Sequence, residues 1–226
     1  FKPAAGHDSW LGYSEGFELP DPAKYYGQGQ YVLNGTHWQL VRGVSPASSP
    51  LQGIKTRQVE LGWRGNMGPL KAQSAVFYAW SDKNMLLSPG TLVIDVVDDK
   101  RRNFGWEGAL DYQVNNQWTV GGSWLWIRSE NKSNNQWQRQ SIMTASPSKL
   151  SAHVAWRYQN WNTRLQATHM ASLKDSAGQR MKGYTTLDLM STVKLPVGQL
   201  QLGVQNLLDK QYLSTWSQRA MALYAV

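Results

Sequence analysis

Ser151 and His153 are the residues whose types and spacing come nearest to a catalytic pair. They lie two positions apart in a segment that alternates apolar and polar residues, so a strand would point both side chains to one side. A phospholipase would use a serine and a histidine in this way. The sequence offers neither a third residue to orient the histidine nor an oxyanion motif. A polar pair on the wall of a sheet is therefore favoured, no catalytic residue is predicted, and a hydrolase ranks third among the functions considered.

The histidines and aspartates do not predict a metal site, because their spacing fits neither zinc nor the calcium loop of an EF-hand. These residues are His7, His37, His153, His169, Asp95, Asp98 and Asp99. The chain has no cysteine, which excludes disulfide scaffolds, thiolate zinc sites and cysteine nucleophiles. No metal ligand and no intrinsic cofactor are predicted.

The charge balance is basic, with 23 Lys and Arg against 15 Asp and Glu in 226 residues and a formal net charge of +8. The basic residues are dispersed, and no recognised nucleic-acid module accompanies them, so nucleic acid is rejected as a partner. No stretch approaches the roughly 18 apolar residues of a membrane-spanning helix. The unusual feature is the 12 tryptophans beside 10 tyrosines, since a buried indole needs a partner for its N–H.

The dominant sequence period is two, which predicts an all-β chain of about nine antiparallel strands. In the segment 104–114, for example, Phe104, Trp106, Leu110 and Tyr112 alternate with polar residues such as Glu107. The predicted strands are 10–15, 58–64, 70–80, 104–114, 118–126, 150–158, 161–170, 184–195 and 200–208.

The connections between the predicted strands alternate between short turns and long segments. Short turns are predicted near 66–69, 114–117, 159–160 and 196–198, and long loops near 17–53, 82–103, 130–147, 172–183 and 210–226. Long loops are uncommon in compact domains. Short turns on one side and long loops on the other are typical of an outer-membrane barrel, in which the long loops are external.

The aromatic residues are expected to form two bands, as at the two interfaces of a barrel with a membrane. One band lies beside the short turns and the other nearer the long loops. The first comprises Trp63, Tyr112, Trp118, Tyr158 and Trp161, and the second Tyr78, Trp80, Phe104, Trp106, Trp124 and Trp126. The alternative is the core of a soluble sandwich. Charged residues on the opposite face argue against it, namely Glu60, Arg64, Glu107, Asp111, Arg157, Arg164, Asp188 and Lys194.

Several motifs resemble those of the TonB-dependent outer-membrane receptors. The segments WLGYSEGF at 10–17 with LPDPAKYYG at 19–27, VELGWR at 59–64 and VQNLLDKQY at 204–212 are similar to strand and loop motifs of that family. The last of them is the most specific. Within the family the resemblance is closest to the ferric aerobactin receptors, through 20–27, 96–102, 144–149, 183–189 and 216–220.

The resemblance implies an about 22-strand barrel with a plugged lumen, which imports a ferric siderophore by TonB-coupled active transport across the bacterial outer membrane. The chain would be the C-terminal portion of that barrel, without the plug, the earlier strands or the last strand. The implied partners are the ferric siderophore as transported ligand, the TonB complex, lipopolysaccharide, and phages or bacteriocins. A receptor for a different hydroxamate siderophore and a passive porin-like channel are the alternatives.

The resemblance also implies a binding site for an anionic iron complex. A citrate-hydroxamate siderophore already fills the coordination sphere of the iron, so the receptor supplies cations for carboxylates and aromatic surfaces for the spacer. The candidate residues lie in the predicted external loops: Lys24, Tyr25, Tyr26, Arg101, Arg102, Trp137, Arg139, Trp216 and Arg219, with Lys100, Arg180 and Lys182 as weaker candidates.

Each main candidate has a structural alternative. The cations at 100–102 would also clamp lipopolysaccharide phosphates or pair with Asp98 and Asp99. Arg219 would instead close the rim of the barrel, and Tyr25 and Tyr26 would pack their loop against a neighbour.

Overall fold

A computed structural model describes residues 1–2, 4–19, 21, 30–42, 53–87 and 94–224. Its strands in chain order are β1 (His7–Glu18), β2 (Gln30–Asn34), β3 (His37–Arg42), β4 (Ile54–Met67), β5 (Leu70–Ser81), β6 (Asn84–Leu87), β7 (Ile94–Val97), β8 (Arg101–Gln113), β9 (Trp118–Ser133), β10 (Gln136–Arg139), β11 (Lys149–Tyr158), β12 (Trp161–Met170), β13 (Leu173–Lys174), β14 (Arg180–Met181), β15 (Tyr184–Leu195) and β16 (Gly198–Val204). One helix, α1 (Thr215–Tyr224), follows them.

One antiparallel sheet contains all nine predicted strands. Its order is β1-β4-β5-β8-β9-β11-β12-β15-β16, and β10 pairs with the end of β9. Each strand pairs with the next one of the series, as in a meander, because short turns join alternate pairs. The all-β prediction and the nine strands are confirmed, while several strand ends differ from the predicted ones.

The register sorts the side chains onto two faces. Residues directly opposite each other in neighbouring strands point to the same side, so one row across the sheet joins Leu11, Leu61, Val76, Trp106 and Trp126. The row one residue away joins Gly12, Glu60 and Phe77. We call the first the apolar face and the second the polar face.

The apolar face is exposed, and little of the sheet is covered by a second layer. Leu61 is 55% exposed, Val76 49% and Trp126 50%. The buried apolar residues among those described are few: Ile54, Ala75, Ala79, Ile142, Ala145 and Met181. This distribution suits a barrel wall that presents its apolar side to lipid and does not suit a sandwich core.

Both predicted aromatic bands lie on the apolar face. Near the short turns, Trp118 packs against Trp156, with ring centroids 6.4 Å apart. Near the opposite ends, Tyr78 stacks on Phe104 at 6.4 Å, and Phe104 meets the edge of Trp126 at 6.0 Å. The indoles of both bands therefore lie on an exterior surface, although the Nε1 atom of Trp124 is buried without a hydrogen-bond partner among the described residues.

The loop ends of the sheet contain structure of their own. The two-stranded pairs β2–β3, β6–β7 and β13–β14 lie in three of the predicted long loops, and β9 continues to Ser133 to form a hairpin with β10. The strand β16 ends at Val204, four residues before the predicted end. Asn206 adopts a φ of 52°, and its side chain bonds to the N–H and C=O of Lys210, so the chain turns there.

The helix α1 was not predicted, because its 10 residues are too few to sustain a helical period over three turns. It begins after Ser214, whose hydroxyl accepts the N–H of Ser217 at 3.1 Å as an N-terminal cap. Within the described residues, a helix of the length and apolarity needed to cross a membrane is not found.

Candidate functional site

The candidate residues that the structure describes lie at the ends of the strands opposite the short turns. There, α1 and the segment 140–147 pack together. The guanidinium of Arg219 donates to the carbonyl of Ile142 at 2.9 Å and to that of Ala145, while it lies 5.9 Å from the ring of Trp216. Ile142 and Ala145 are buried, so Arg219 joins the helix to a packed segment. Burial lowers the pKa of Arg219 from its ordinary value.

Two further polar side chains hold this packed region together. Gln218 accepts the N–H of Lys182 at 2.8 Å and donates to its carbonyl at 2.9 Å. The buried carboxylate of Asp175 accepts the backbone N–H groups of Ile142 and Gln179. These loop segments are therefore connected by hydrogen bonds between side chains and backbone, and not by β-sheet pairing.

Arg101 lies on the polar face. In the β5–β8 pairing it stands opposite Ser81. The next residue, Arg102, stands opposite Trp80 and therefore points to the other face. The Nε of Arg101 donates to Asp99 at 3.4 Å, and the same carboxylate oxygen accepts Asn84 at 3.1 Å. Pairing with Asp99 is the role that the sequence offered for Arg101 as an alternative to binding the ligand.

A cleft of about 270 Å³ opens beside Arg101. Its lining includes Lys83, Asn84 and Asn103 with polar-face residues of β4 and β5, and it also reaches Trp80 and Arg102. The Oδ1 atom of Asn103 is buried without a hydrogen-bond partner among the described residues. Such an acceptor is costly unless a donor reaches it, so a ligand or water with an N–H or O–H is suited to this cleft. Lys83 also pairs with Asp98 at 2.7 Å.

Arg102 lies on the apolar face, opposite Trp80 on one side and Glu130 on the other. It donates to Glu130 at 2.6 and 2.8 Å and lies 4.0 Å from the ring of Trp137. Arg139 stands directly across from Glu130 in the β9–β10 hairpin. The structure therefore brings Arg102, Trp137 and Arg139 together, but on the face away from Arg101.

The remaining predicted residues are not part of either group. Trp216 is 78% exposed on α1. Lys24, Tyr25 and Tyr26 lie outside the described residues. Contact of any candidate with a siderophore stays a prediction.

Several residues at these sites were missed from sequence. They are Lys83, Asn84, Asn103, Glu130 and Arg128, whose Nε donates to Glu130 at 2.6 Å. The parity rule that assigns neighbouring residues of a strand to opposite faces would have separated Arg101 from Arg102 and placed Glu130 with Arg102. No sequence signal would have found the hairpin that brings Asn84 to Asp99.

Ser151 and His153 share the polar face but do not bond to each other in the structure. The Ser151 hydroxyl lies 2.7 Å from that of Ser123, and His153 Nε2 lies 3.1 Å from Asp111 Oδ1. Each side chain thus has a cross-strand partner, as expected of polar groups on a wall.

Comparison with known proteins now decides the family. The family model described as TonB dependent receptor-like, beta-barrel, matches residues 1–207. The chain belongs to the TonB-dependent receptor β-barrel family. This match confirms the predicted family. The open sheet described above is a section of such a barrel.

Relatives and solved structures agree with that assignment. The chain is 42% identical over 220 residues to the ferric aerobactin receptor of Escherichia coli, covering 96% of this chain and 30% of that protein. It is 35% identical over 217 residues to the rhizobactin receptor of Rhizobium meliloti, covering 95% and 29%. The copper transporter OprC superposes with a TM-score of 0.72 at 17% identity, covering 94% of this chain and 33% of OprC, which shows a common fold. The chain thus spans about 30% of the length of the curated relatives it matches.

The packing of Arg219 generates a testable prediction. Replacing Arg219 with Gln removes the bonds to Ile142 and Ala145, so amide hydrogen exchange in 142–145 and 215–224 should rise at least tenfold in the full-length protein. The exposed Arg180, changed to Gln, is the matched control and should leave both segments unchanged. Unaltered exchange in the Arg219 variant would show that the guanidinium does not join the two segments.

Proposed function

We propose that the full-length protein is an outer-membrane receptor that imports a ferric siderophore, of the citrate-hydroxamate class to which aerobactin belongs, by TonB-coupled active transport. The observation that carries the proposal is the 42% identity to a ferric aerobactin receptor over 96% of this chain. The similarity to a rhizobactin receptor supports the same class of ligand. Coupling to TonB and residence in the outer membrane are proposed from the family.

The polar face is the proposed ligand side. In a closed barrel of this family the apolar face contacts lipid, so the polar face lines the interior. The cleft beside Arg101 is lined mainly by polar-face residues at the loop end, where a ligand would enter from outside. We propose that Arg101 and Lys83 receive carboxylates of the siderophore, and that the unpartnered Asn103 Oδ1 accepts a hydroxyl of its citrate core.

The paired state of these cations does not prevent that role. Arg101 uses Nε toward Asp99, which leaves its terminal N–H groups for a planar carboxylate. Asp98 and Asp99 hold the two cations in place in the absence of ligand. Trp216 and the segment with Lys24, Tyr25 and Tyr26 remain proposed aromatic and cationic contacts.

The function is tested by binding and uptake. The full-length protein should bind ferric aerobactin more tightly than ferric hydroxamates without a citrate core, and cells that depend on it should take up labelled ferric aerobactin only with a functional TonB. Equal binding across the panel would favour the alternative of a different hydroxamate ligand. Uptake that persists without TonB would favour a passive porin-like channel.

The role of Arg101 is tested against an arginine on the opposite face. Arg101→Gln should weaken binding of the ferric siderophore at least tenfold, because a charge-assisted hydrogen bond contributes roughly 1.5–3 kcal/mol. Arg128→Gln, the same substitution on the apolar face and outside the lining of the cleft, should leave that affinity within twofold. Equal losses in the two variants, measured by titration of the purified full-length protein, would contradict the assignment of faces.

A further inference from the structure

One buried side chain, that of Asn84, binds the same carboxylate as Arg101. Asn84 is the first residue of β6 and is 4% exposed. Its Nδ2 atom donates to Oδ2 of Asp99 at 3.1 Å, and Nε of Arg101 donates to the same oxygen at 3.4 Å. The orientation of the Asp99 carboxylate therefore depends on a neutral amide as well as on the guanidinium.

The backbone around β6 and β7 holds Asn84 in a fixed position relative to Asp99. Asn84 stands opposite Val97 in the β6–β7 pairing, and the N–H of Asp99 donates to the carbonyl of Val97 at 3.0 Å. Before β6, the hydroxyl of Ser81 donates to the carbonyl of Lys83 at 2.8 Å and accepts its N–H at 3.3 Å. The amide of Asn84 is thus directed at Asp99 by the backbone of this hairpin and of the turn that enters it.

The ion pair between Arg101 and Asp99 is looser than these two groups can form. A guanidinium and a carboxylate pair most strongly through two parallel bonds of about 2.7–2.9 Å. Here a single bond of 3.4 Å runs from Nε, and the terminal N–H groups of Arg101 have no hydrogen bond to any described residue. The bond from Asn84 accounts for this geometry, because it fixes the carboxylate in an orientation in which one oxygen is shared by both donors.

The same geometry keeps the carboxylate out of the cleft beside Arg101. Asn84 and Arg101 line that cleft, whereas its described lining does not include Asp99. A carboxylate that turned into the cleft and paired with the guanidinium through two bonds would take the hydrogen bonds that an anionic ligand needs and would repel its charge. Holding Asp99 away is therefore a condition for anion binding at Arg101.

We propose that Asn84 is a positioning residue for ligand recognition, which orients Asp99 so that the terminal N–H groups of Arg101 stay available to a carboxylate of the ligand. The inference rests on the proposed function, because the ligand in question is the anionic ferric siderophore. A neutral amide suits this task, since it donates to Asp99 without adding a second positive charge to the pair. Asn84 acts through Asp99 and Arg101, and it needs no contact with the ligand.

A double-mutant cycle tests the proposal through ligand binding. Asn84→Ala removes the neutral donor, so Asp99 turns to Arg101, and the affinity of the purified full-length protein for ferric aerobactin should fall threefold to tenfold. Asp99→Asn removes the competing charge, so the double variant N84A/D99N should bind within twofold of D99N alone. Asn66→Ala, on the polar face at the short-turn end, is the matched control and should leave the affinity unchanged.

The cycle separates positioning from two other roles of Asn84. If Asn84 contacted the ligand directly, or only stabilised the β6–β7 hairpin, its replacement would cause the same loss of affinity whether or not the Asp99 carboxylate is present. An equal loss in the wild-type and D99N backgrounds would therefore overturn the proposal. An affinity unchanged by Asn84→Ala in the wild-type background would overturn it as well.

The state of the guanidinium is also measured without any siderophore. Phenylglyoxal condenses with the terminal nitrogens of arginine, and peptide mass spectrometry of the treated full-length protein gives the rate at Arg101. That rate should fall at least threefold in N84A and should return to within twofold of the D99N value in N84A/D99N. An unchanged rate in N84A would contradict the proposed orientation of Asp99. Rates that change as expected in a protein that binds no ferric aerobactin would refute the proposed function and leave the action of Asn84 on Asp99 intact.

Discussion

Backbone hydrogen bonding in a medium without water is the constraint on which the structure depends. In lipid, each N–H and C=O must find its partner inside the protein, so a membrane-spanning sheet must pair every strand on both sides. The nine-strand meander meets this requirement between neighbouring strands from β1 to β16. The same pairing fixes the register, and the register fixes which side chains face lipid, because a shift of one residue would exchange the two faces. Exposed leucines, valines and tryptophans on one side and charged residues on the other follow from that single constraint.

The same constraint places adjacent basic residues on opposite faces of the sheet. Arg101 and Arg102 are neighbours in sequence, yet the pleat of β8 sends one to the polar face and the other to the apolar face. Each is held by its own carboxylate, Asp99 for Arg101 and Glu130 for Arg102. A run of cations at the end of a barrel strand can thus place charge on both faces of the sheet. Arg219, by contrast, has its donors directed to backbone carbonyls and contributes to the packing of the loop ends.

Sequence periodicity was sufficient for the sheet because the signal is local. In the segment around Trp106 and Leu110, apolar and polar residues alternate without interruption, and the strand follows from that pattern alone. The site was only partly predictable, since its geometry depends on contacts between distant segments. Asn84 reaches Asp99 through a hairpin with no strong pattern, and Glu130 was counted in a loop although β9 continues through it. Whether each arginine faces the interior or the exterior follows from its odd or even position along the strand. That rule could be applied only once the ends of the strands were known.

The central claim, that this sheet is a membrane wall with Val76 toward lipid and Gln73 toward the interior, can be measured directly. The chain has no cysteine, so single spin labels at Gln73, Val76, Ala109 and Leu110 can be introduced into the full-length protein in bilayers without background labelling within this segment. Collision rates with oxygen, which partitions into lipid, and with a water-soluble nickel chelate are then compared by electron paramagnetic resonance. The account predicts high oxygen accessibility at Val76 and Leu110 and low oxygen accessibility at Gln73 and Ala109. Protection of Val76 and Leu110 from both reagents would instead indicate a packed soluble core and would contradict it.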